Sequence, residues 1–230
     1  MSEVLRIVLI GSTGLVGRKL IDACIGRGNV RLIAVARREV KLPQGARMEL
    51  VVADPKDWGE VIAGIAPDVL INALGTTWKQ AGKDEAAFRA VDQQLVINAA
   101  RAAQRAGVRQ LVSVSSVGAD ARSKKFYLRV KGEVEKELST VGFKRLDVMR
   151  PGLLRGARID DSRPIEAIAQ AIAPLVDPFL IGKWRPYRSV SAEMVAQAAL
   201  GLAMRKAPGR FTHDYEGIRR AKREWIKVKE

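Results

Sequence analysis

The sequence predicts an α/β protein built on a doubly wound parallel sheet, with helices on both faces. Two features carry this prediction: short aliphatic runs alternate with helical patterns along most of the chain, and a glycine-rich turn follows the first run. Repeated strand–helix–strand units predict parallel strands joined by right-handed crossovers. The 230 residues are 47% hydrophobic, which is enough to bury one core of this kind.

Six aliphatic runs have the length and residue types of buried strands. They are LRIVLI (5–10), VRLIAVA (30–36), MELVVA (48–53), DVLINAL (68–74), QLVSVS (110–115) and RLDVMR (145–150). Helical patterns lie between them at 14–27, 56–65, 85–106 and 124–140. We therefore predict one domain over 1–230, with a core at 4–150 and a small C-terminal lobe at 151–230.

The C-terminal lobe has a looser pattern than the core. Pro164 is placed to begin one helix, and Ser191 is placed to cap another, with Glu193 early in its first turn. The run RFTHDY (210–215) predicts a last edge strand. The basic run that follows, RRAKREWIKVKE (219–230), is interpreted only as part of a solvated basic surface.

The charge and the rare residue types exclude several classes of protein. The formal net charge of +15 favours anionic partners such as nucleotides, but the basic segments lack the interleaved aromatic residues of a nucleic-acid platform. No apolar run approaches the roughly 18 residues of a membrane span. One cysteine, Cys24, excludes an internal disulfide, and one histidine, His213, argues against a His-rich metal site, so no metal is expected. These features, with no secretion signal, predict a cytoplasmic protein.

Three glycines spaced three residues apart follow the first predicted strand, in IGSTGLVG (10–17). A turn there presents backbone N–H groups and a helix N-terminus to an anion. Gly11 is expected to permit the tight turn, Gly14 to let a pyrophosphate approach the backbone, and Gly17 to let the helix pack closely on the strand. A strand-to-helix turn that binds nothing is the alternative.

Several motifs together resemble the short-chain dehydrogenase/reductase superfamily. They are this glycine turn, NALG (72–75), VSVSS (112–116) and YLRVK (127–131). LGTTWKQAG (74–82), YLRVKGEVE (127–135) and RPGLLRG (150–156) resemble its atypical, extended-like branch, which includes the Tat-interacting-protein oxidoreductases. The resemblance covers roughly residues 5 to 220, and it implies a single-domain Rossmann fold that binds a nicotinamide dinucleotide.

Tyr127 and Lys131 lie four residues apart, so a helix places them on one face. A nearby ammonium favours the phenolate and lowers the pKa of a tyrosine, which is ordinarily about 10. The resemblance implies that Tyr127 exchanges a proton with the substrate and that Lys131 also binds the nicotinamide ribose. It implies further that Ser115 or Ser116 orients the substrate oxygen, with Ser115 nearer to the family's usual spacing. A surface tyrosine with a lysine extended past it is the alternative.

The resemblance places further cofactor contacts at the strand ends. It implies that the pyrophosphate is lined by the turn residues Gly11, Ser12, Thr13, Gly14, Leu15, Val16 and Gly17. Leu74 and Gly75 are expected to pass the adenine ribose and pyrophosphate, and Leu154 to pass the nicotinamide. Asp54 is expected to reach the adenine amino group or, alternatively, to cap a helix. Arg163 is expected to contact the cofactor or, alternatively, to be a solvated loop arginine.

Arg37 and Arg38 follow the second strand, where a carboxylate would bind the ribose hydroxyls of NAD. Two guanidinium groups instead offer bidentate bonds to a 2′-phosphate, so they predict NADP(H), unless both simply face water. We therefore predict an NADP(H)-dependent oxidoreductase that acts on a small carbonyl or alcohol.

Two other functions remain open from the sequence. One is an NADP(H)-binding regulator that binds a protein partner without turnover. The other is a nucleotide-sugar epimerase or dehydratase, which usually needs a larger lobe than the 80 residues after Arg150. The substrate pocket is expected under residues 155–190 and Trp78. The charged exposed sides of helices 85–106 and 124–140 favour a monomer over a dimer.

Overall fold

The computed structural model describes residues 4–46, 48–156 and 177–227. In chain order its elements are β1 (Leu5–Ile10), α1 (Leu15–Cys24), β2 (Val30–Ala36), β3 (Glu49–Val52), α2 (Trp58–Ile65), β4 (Val69–Asn72), α3 (Glu85–Arg89), a π-helical turn (Ala90–Leu95), α4 (Val96–Arg105), β5 (Gln110–Val114), α5 (Phe126–Thr140), β6 (Arg145–Met149), β7 (Leu154–Arg155), two 3₁₀ segments (Asp177–Phe179 and Gly182–Tyr187), β8 (Val190–Ser191), α6 (Ala192–Ala203), β9 (Gly209–His213) and α7 (Tyr215–Lys227).

One seven-stranded sheet, in the order β3-β2-β1-β4-β5-β6-β9, forms the centre of the molecule. All its neighbouring strands are parallel. One face packs against α1, α6 and α7 through apolar side chains that include Leu20, Ala199 and Trp225. The other face packs against α2, α4 and α5 through Ile62, Ile97 and Val134. The predicted doubly wound α/β fold is confirmed, because both sheet faces are covered by helices.

The lobe after β6 agrees with the sequence in part. Ser191 caps α6, since its Oγ accepts a hydrogen bond from the Met194 backbone N–H at 3.0 Å, and β9 is the predicted edge strand beside β6. Helix α7 was not predicted. Its buried residues Ile218, Ala221 and Trp225 lie on one helical face, but the many cations between them made the segment look like solvated surface. The predicted helix start at Pro164 lies outside the described residues.

A buried group of charges joins β6 and β9. Asp147 accepts hydrogen bonds from Arg145 Nε at 2.6 Å and Nη2 at 2.8 Å, and its Oδ1 lies 2.8 Å from His213 Nε2. Burial alone would raise the pKa of Asp147. The hydrogen bonds with His213 and Arg145 outweigh burial, so this pKa lies below its ordinary value.

We expect Asp147→Asn to lower the free energy of unfolding by about 2 kcal/mol at pH 7, because hydrogen bonds to charged groups are worth about 1.5–3 kcal/mol. Since the folded pKa is lowered, this stabilisation is present above the ordinary value of 3.8. It is lost as the pH falls through the folded value. Urea unfolding at pH 7 and at about pH 3 measures both effects. Asp57→Asn, at an exposed carboxylate without a capping bond, is the control. A difference that is equal at both pH values would contradict the expectation.

Candidate active site

The described candidate residues lie along one edge of the sheet, at the carboxyl ends of its strands. Gly11 follows β1, Arg37 follows β2, Asp54 follows β3, Leu74 follows β4 and Ser115 follows β5. The chain leaves β1 toward β2 on one side and returns from β3 to β4 on the other side. In such sheets the crevice between the two diverging connections is where dinucleotides bind.

The glycine turn fills this crevice closely. Gly11 has a φ of +91°, and a Cβ there would overlap the backbone of Ala73 in the β4 connection. A Cβ at Gly17 would overlap the Gly11 carbonyl, so both positions require glycine for conformation or packing. Gly14 is different, since a Cβ there would meet only Gly11 O at 3.3 Å and Ala73 O at 3.7 Å. The space in front of Gly14 is therefore open toward the site.

Polar groups of the turn also point to a ligand. Ser12 is 1% exposed, and its Oγ has no hydrogen-bond partner among the described residues. Helix α1 begins at Leu15 without a side chain that caps it, so its first N–H groups are available to an anion. Thr13 is exposed, Leu15 half-buried and Val16 buried. This combination of glycines, a buried hydroxyl and an uncapped helix fits the pyrophosphate of a dinucleotide.

Both arginines after β2 are exposed. Within the described ranges, neither Arg37 nor Arg38 makes a hydrogen bond or an ion pair. Arg38 lines a cavity of about 690 Å³ together with Thr13, Arg18 and Lys41. Lys19 also lines it, as do the carboxylates Asp22 and Glu39 and several apolar side chains, so the lining carries a modest excess of positive charge. This cavity opens beside the glycine turn, where the 2′-phosphate of NADP(H) is expected.

The connection after β4 is held by side chains of its neighbours. Asn72 Oδ1 accepts the Leu74 N–H at 3.0 Å, and Asn72 Nδ2 donates to Ser113 Oγ at 3.0 Å. Gly75, which comes next, is exposed. The Thr76 N–H donates to Asp92 Oδ2 at 2.7 Å. These bonds fix the backbone that faces the crevice.

Tyr127 and Lys131 share one face of α5. Lys131 Nζ lies 5.9 Å from the centroid of the Tyr127 ring. The tyrosine is 41% exposed, whereas the lysine is buried and its Nζ lies 2.8 Å from Asp92 Oδ1. Burial alone would lower the pKa of Lys131, but the charges of Asp92 and Tyr127 outweigh it, so this pKa lies above its ordinary value. The ion pair with Asp92 therefore favours a charged Lys131 beside an accessible tyrosine.

The two candidate serines have different partners. Ser115 Oγ donates to the Glu135 carboxylate, which also accepts two bonds of 3.1 Å from Arg150 Nε. Ser116 is half-buried, and its Oγ is 3.3 Å from the carbonyl oxygen of the adjacent Val117. The Ser115 hydroxyl is thus engaged by a charged network, while the Ser116 hydroxyl has only a weak local contact.

The other predicted site residues make few contacts that point to a ligand. Asp54 is exposed and accepts the Lys56 N–H at 3.0 Å, so it closes the turn that precedes α2. Leu154 is half-buried in β7, which pairs with β8. Trp78 packs against Phe126 with the two rings tilted by 58° and their centroids 5.3 Å apart, next to Tyr127 in α5. Arg163 lies outside the described residues.

Sequence reasoning missed Asp92, Asn72 and the Glu135–Arg150 pair. Asp92 left a signal, since it occupies an inward position of a helical pattern, four residues after Phe88 and four before Val96. A carboxylate at such a position needs a buried partner. Glu135 left no comparable signal, because charged residues surround it in the sequence.

The NAD(P)H-binding family model matches residues 11–156, from the glycine turn to the end of the Leu154 segment. The chain belongs to this family. "Protein fmp52, mitochondrial" of Aspergillus niger is 33% identical over 211 residues, 89% of each chain. "Protein FMP52, mitochondrial" of Meyerozyma guilliermondii is 35% identical over 205 residues, 87% of this chain and 86% of the relative. UDP-glucose 4-epimerase of Thermus thermophilus, solved with NAD, shares the fold: the TM-score is 0.68 at 18% identity, over 97% of this chain and 83% of that one.

The names of these relatives contradict the predicted cytoplasmic location, because they are called mitochondrial. The prediction rested on a single cysteine and on no recognised secretion signal, and neither feature separates the cytoplasm from other compartments without disulfides. Among the described residues, no helix is long and apolar enough to cross a bilayer. In the same part of the chain, no group of three or more His, Cys, Asp or Glu residues is arranged to hold a metal ion.

Proposed function

We propose that the protein is an NADP(H)-dependent oxidoreductase of the atypical short-chain dehydrogenase/reductase type, similar to the Tat-interacting-protein oxidoreductases, and that it acts on a small carbonyl or alcohol. One observation carries the proposal. An accessible tyrosine, Tyr127, lies beside the buried cation Lys131 at the same sheet edge as the dinucleotide turn. That arrangement suits a proton donor that works next to a nicotinamide.

The cofactor side of the mechanism follows from the turn. When bound, NADP(H) supplies or accepts the hydride. The N–H groups at the start of α1 and the buried Ser12 hydroxyl would donate to the pyrophosphate oxygens. The ammonium of Lys131 has three N–H donors. The ammonium pairs with Asp92 Oδ1 at 2.8 Å as an ion pair without hydrogen-bond geometry, which leaves donors for the nicotinamide ribose and for the Tyr127 oxygen.

The substrate side of the mechanism is acid–base chemistry. In reduction, the Tyr127 hydroxyl would give its proton to the carbonyl oxygen of the substrate. In oxidation the proton returns to the phenolate, which the Lys131 cation stabilises. We propose Ser116 as the group that orients the substrate oxygen, because the Ser115 hydroxyl already donates to Glu135.

A regulator that binds NADP(H) without turnover is the second candidate. The observation in its favour is that Lys131 and Ser115 both have charged partners within the protein, Asp92 and Glu135. NADPH with a panel of aldehydes, ketones and quinones separates the two candidates. Loss of absorbance of the reduced nicotinamide supports the oxidoreductase. Tight NADPH binding without consumption across the panel supports the regulator, and absence of NADPH binding contradicts both.

The proposed cofactor is NADP(H) rather than NAD(H). Arg37 and Arg38 are exposed and unpaired within the described ranges. Charge-assisted hydrogen bonds contribute about 1.5–3 kcal/mol each, so we expect at least about tenfold tighter binding of NADPH than of NADH. The double variant Arg37→Ala, Arg38→Ala is expected to lose most of this preference while its NADH affinity changes little.

Paired titrations with NADPH and NADH measure the preference. A matched control is Arg105→Ala, Arg109→Ala, which removes the same charge from exposed positions before β5, at the opposite edge of the sheet. The control is expected to keep the preference within about twofold, because screened charges at this distance contribute little. Equal affinities of the wild type for the two cofactors would show that these arginines do not read the 2′-phosphate.

A further inference from the structure

The helix that packs beside α5 is interrupted at the level of Lys131. Helices α3 and α4 are continuous with each other only through the π-helical turn at Ala90–Leu95. Asp92 lies in that turn, and its side chain is fully buried. A π-helical turn is a rare arrangement that is frequent at functional sites. Here it carries a carboxylate into the core, where an unpaired charge would be costly.

Both oxygens of Asp92 have partners in the candidate site. Oδ2 accepts the Thr76 N–H at 2.7 Å, in the backbone that follows β4. Oδ1 lies 2.8 Å from Lys131 Nζ. Gly75 adds to this closeness, because a Cβ there would lie 3.8 Å from Asp92 Oδ1. We call the backbone at 74–77, which faces the crevice, the β4 loop. The Asp92 carboxylate therefore joins the β4 loop to the Lys131 ammonium beside Tyr127.

We propose that Asp92 is a positioning residue, whose carboxylate keeps the Lys131 ammonium charged and fixed against the β4 loop for contact with the nicotinamide ribose. The identity of the ligand rests on the proposed function, whereas the action of Asp92 on Lys131 does not. Asp92 acts only through Lys131 and the β4 loop. It has no direct contact with the reacting atoms in this arrangement.

Electrostatics explains why the carboxylate is needed. Lys131 is 8% exposed at its side chain, and burial favours loss of its proton. The groups that act on its charge are Asp92, Tyr127 and Glu135. Glu135 is occupied by Ser115 and Arg150. Asp92 is thus the group that offsets burial most directly, and without it Lys131 would become neutral at a lower pH.

The first test needs no cofactor. NMR of protein labelled with [ε-¹³C]lysine follows the titration of Lys131, whose signal is assigned by its absence in Lys131→Arg. Asp92→Asn keeps an oxygen for the Thr76 N–H but removes the charge. We expect it to lower the titration midpoint of Lys131 by at least about one pH unit. Asp57→Asn, at an exposed carboxylate before α2, is the control and is expected to leave the midpoint unchanged.

An unchanged Lys131 midpoint in folded Asp92→Asn would overturn the proposal. If Asp92→Asn does not fold, the wild type still decides, since a Lys131 midpoint below that of the exposed lysines shows that Asp92 does not hold the charge. The double variant Asp92→Asn, Lys131→Met is the second variant for the case in which Asp92→Asn does not fold. It replaces both charged groups of the pair by uncharged ones, which is commonly tolerated even where removal of one partner is not.

The second test measures NADPH affinity between pH 7 and about pH 9.5. We expect nearly constant affinity in the wild type and a loss of affinity with rising pH in Asp92→Asn, because its Lys131 loses its proton at a lower pH than in the wild type. In a Lys131→Met background, Asp92→Asn is expected to add less than about a twofold effect. A loss that is equal at every pH and persists in that background would show that Asp92 supports only the loop. If the wild type binds no NADPH, the proposed function fails while the NMR result still decides the role of Asp92.

Discussion

Gly14→Val is expected to abolish dinucleotide binding in a chain that still folds. The backbone of Gly14 has φ −73° and ψ 169°, an extended conformation that any residue adopts. A Cβ there would meet only two carbonyl oxygens, at 3.3 and 3.7 Å, so the fold can accept it with a small adjustment. A branched side chain would nevertheless occupy the space in which a pyrophosphate meets the turn.

Gly17→Val is the matched variant in the same turn, and it is expected to destabilise the fold itself. A Cβ at Gly17 would overlap the carbonyl of Gly11, so α1 would have to move away from β1. Forced overpacking of this kind typically costs about 1–3 kcal/mol or more. We therefore expect a clearly lowered melting temperature for Gly17→Val and a nearly unchanged one for Gly14→Val.

Thermal unfolding with and without NADPH measures both effects. A ligand at 100 times its Kd stabilises the folded state by about 2.7 kcal/mol. The wild type is expected to show this increase, whereas Gly14→Val should unfold cooperatively at the same temperature with and without NADPH. If NADPH raises the melting temperature of Gly14→Val as much as that of the wild type, the phosphates bind elsewhere.

The middle of the sheet could be predicted from the sequence because strands such as β2, β4 and β6 are buried on both faces. Such strands have continuous aliphatic sequences. The bounds of β1 and β2 are those predicted from the runs at 5–10 and 30–36. Helix α7 shows the limit of this reasoning. Its apolar stripe consists of Ile218, Ala221 and Trp225, too few residues to stand out among its cations before the packing against α6 is known.

The backbone positions of the site could be predicted better than its hydrogen bonds. Glycine spacing and strand ends indicate where the chain turns, because those constraints are local. The partners of Lys131 and Ser115 are set by tertiary packing, which brings the π-helical turn and Glu135 next to them. The sequence left Ser115 and Ser116 as alternatives for this reason, since spacing alone does not show which hydroxyl is already donated.

Tyr127→Phe is expected to reduce turnover by about two orders of magnitude or more and to change NADPH affinity by less than about threefold. The hydroxyl is the proposed proton carrier, and general acid–base catalysis typically contributes 10²–10⁴-fold. The ring itself is expected to stay in place, because it packs against Phe88 with centroids 5.9 Å apart. Steady-state kinetics with the best substrate from the carbonyl panel, together with NADPH titration, measures both quantities.

Tyr215→Phe is the control for this variant, since Tyr215 begins α7 and packs against Arg188 and Arg219. It removes the same hydroxyl group from a position outside the candidate site, so turnover should stay within about twofold of the wild type. If turnover in Tyr127→Phe equals that of the wild type, another group carries the proton and the assignment of Tyr127 is wrong.

The comparison also separates the two proposed functions. A selective loss in Tyr127→Phe, with NADPH binding retained, excludes the regulator without turnover, because a protein that only binds the cofactor has no step in which this hydroxyl is needed.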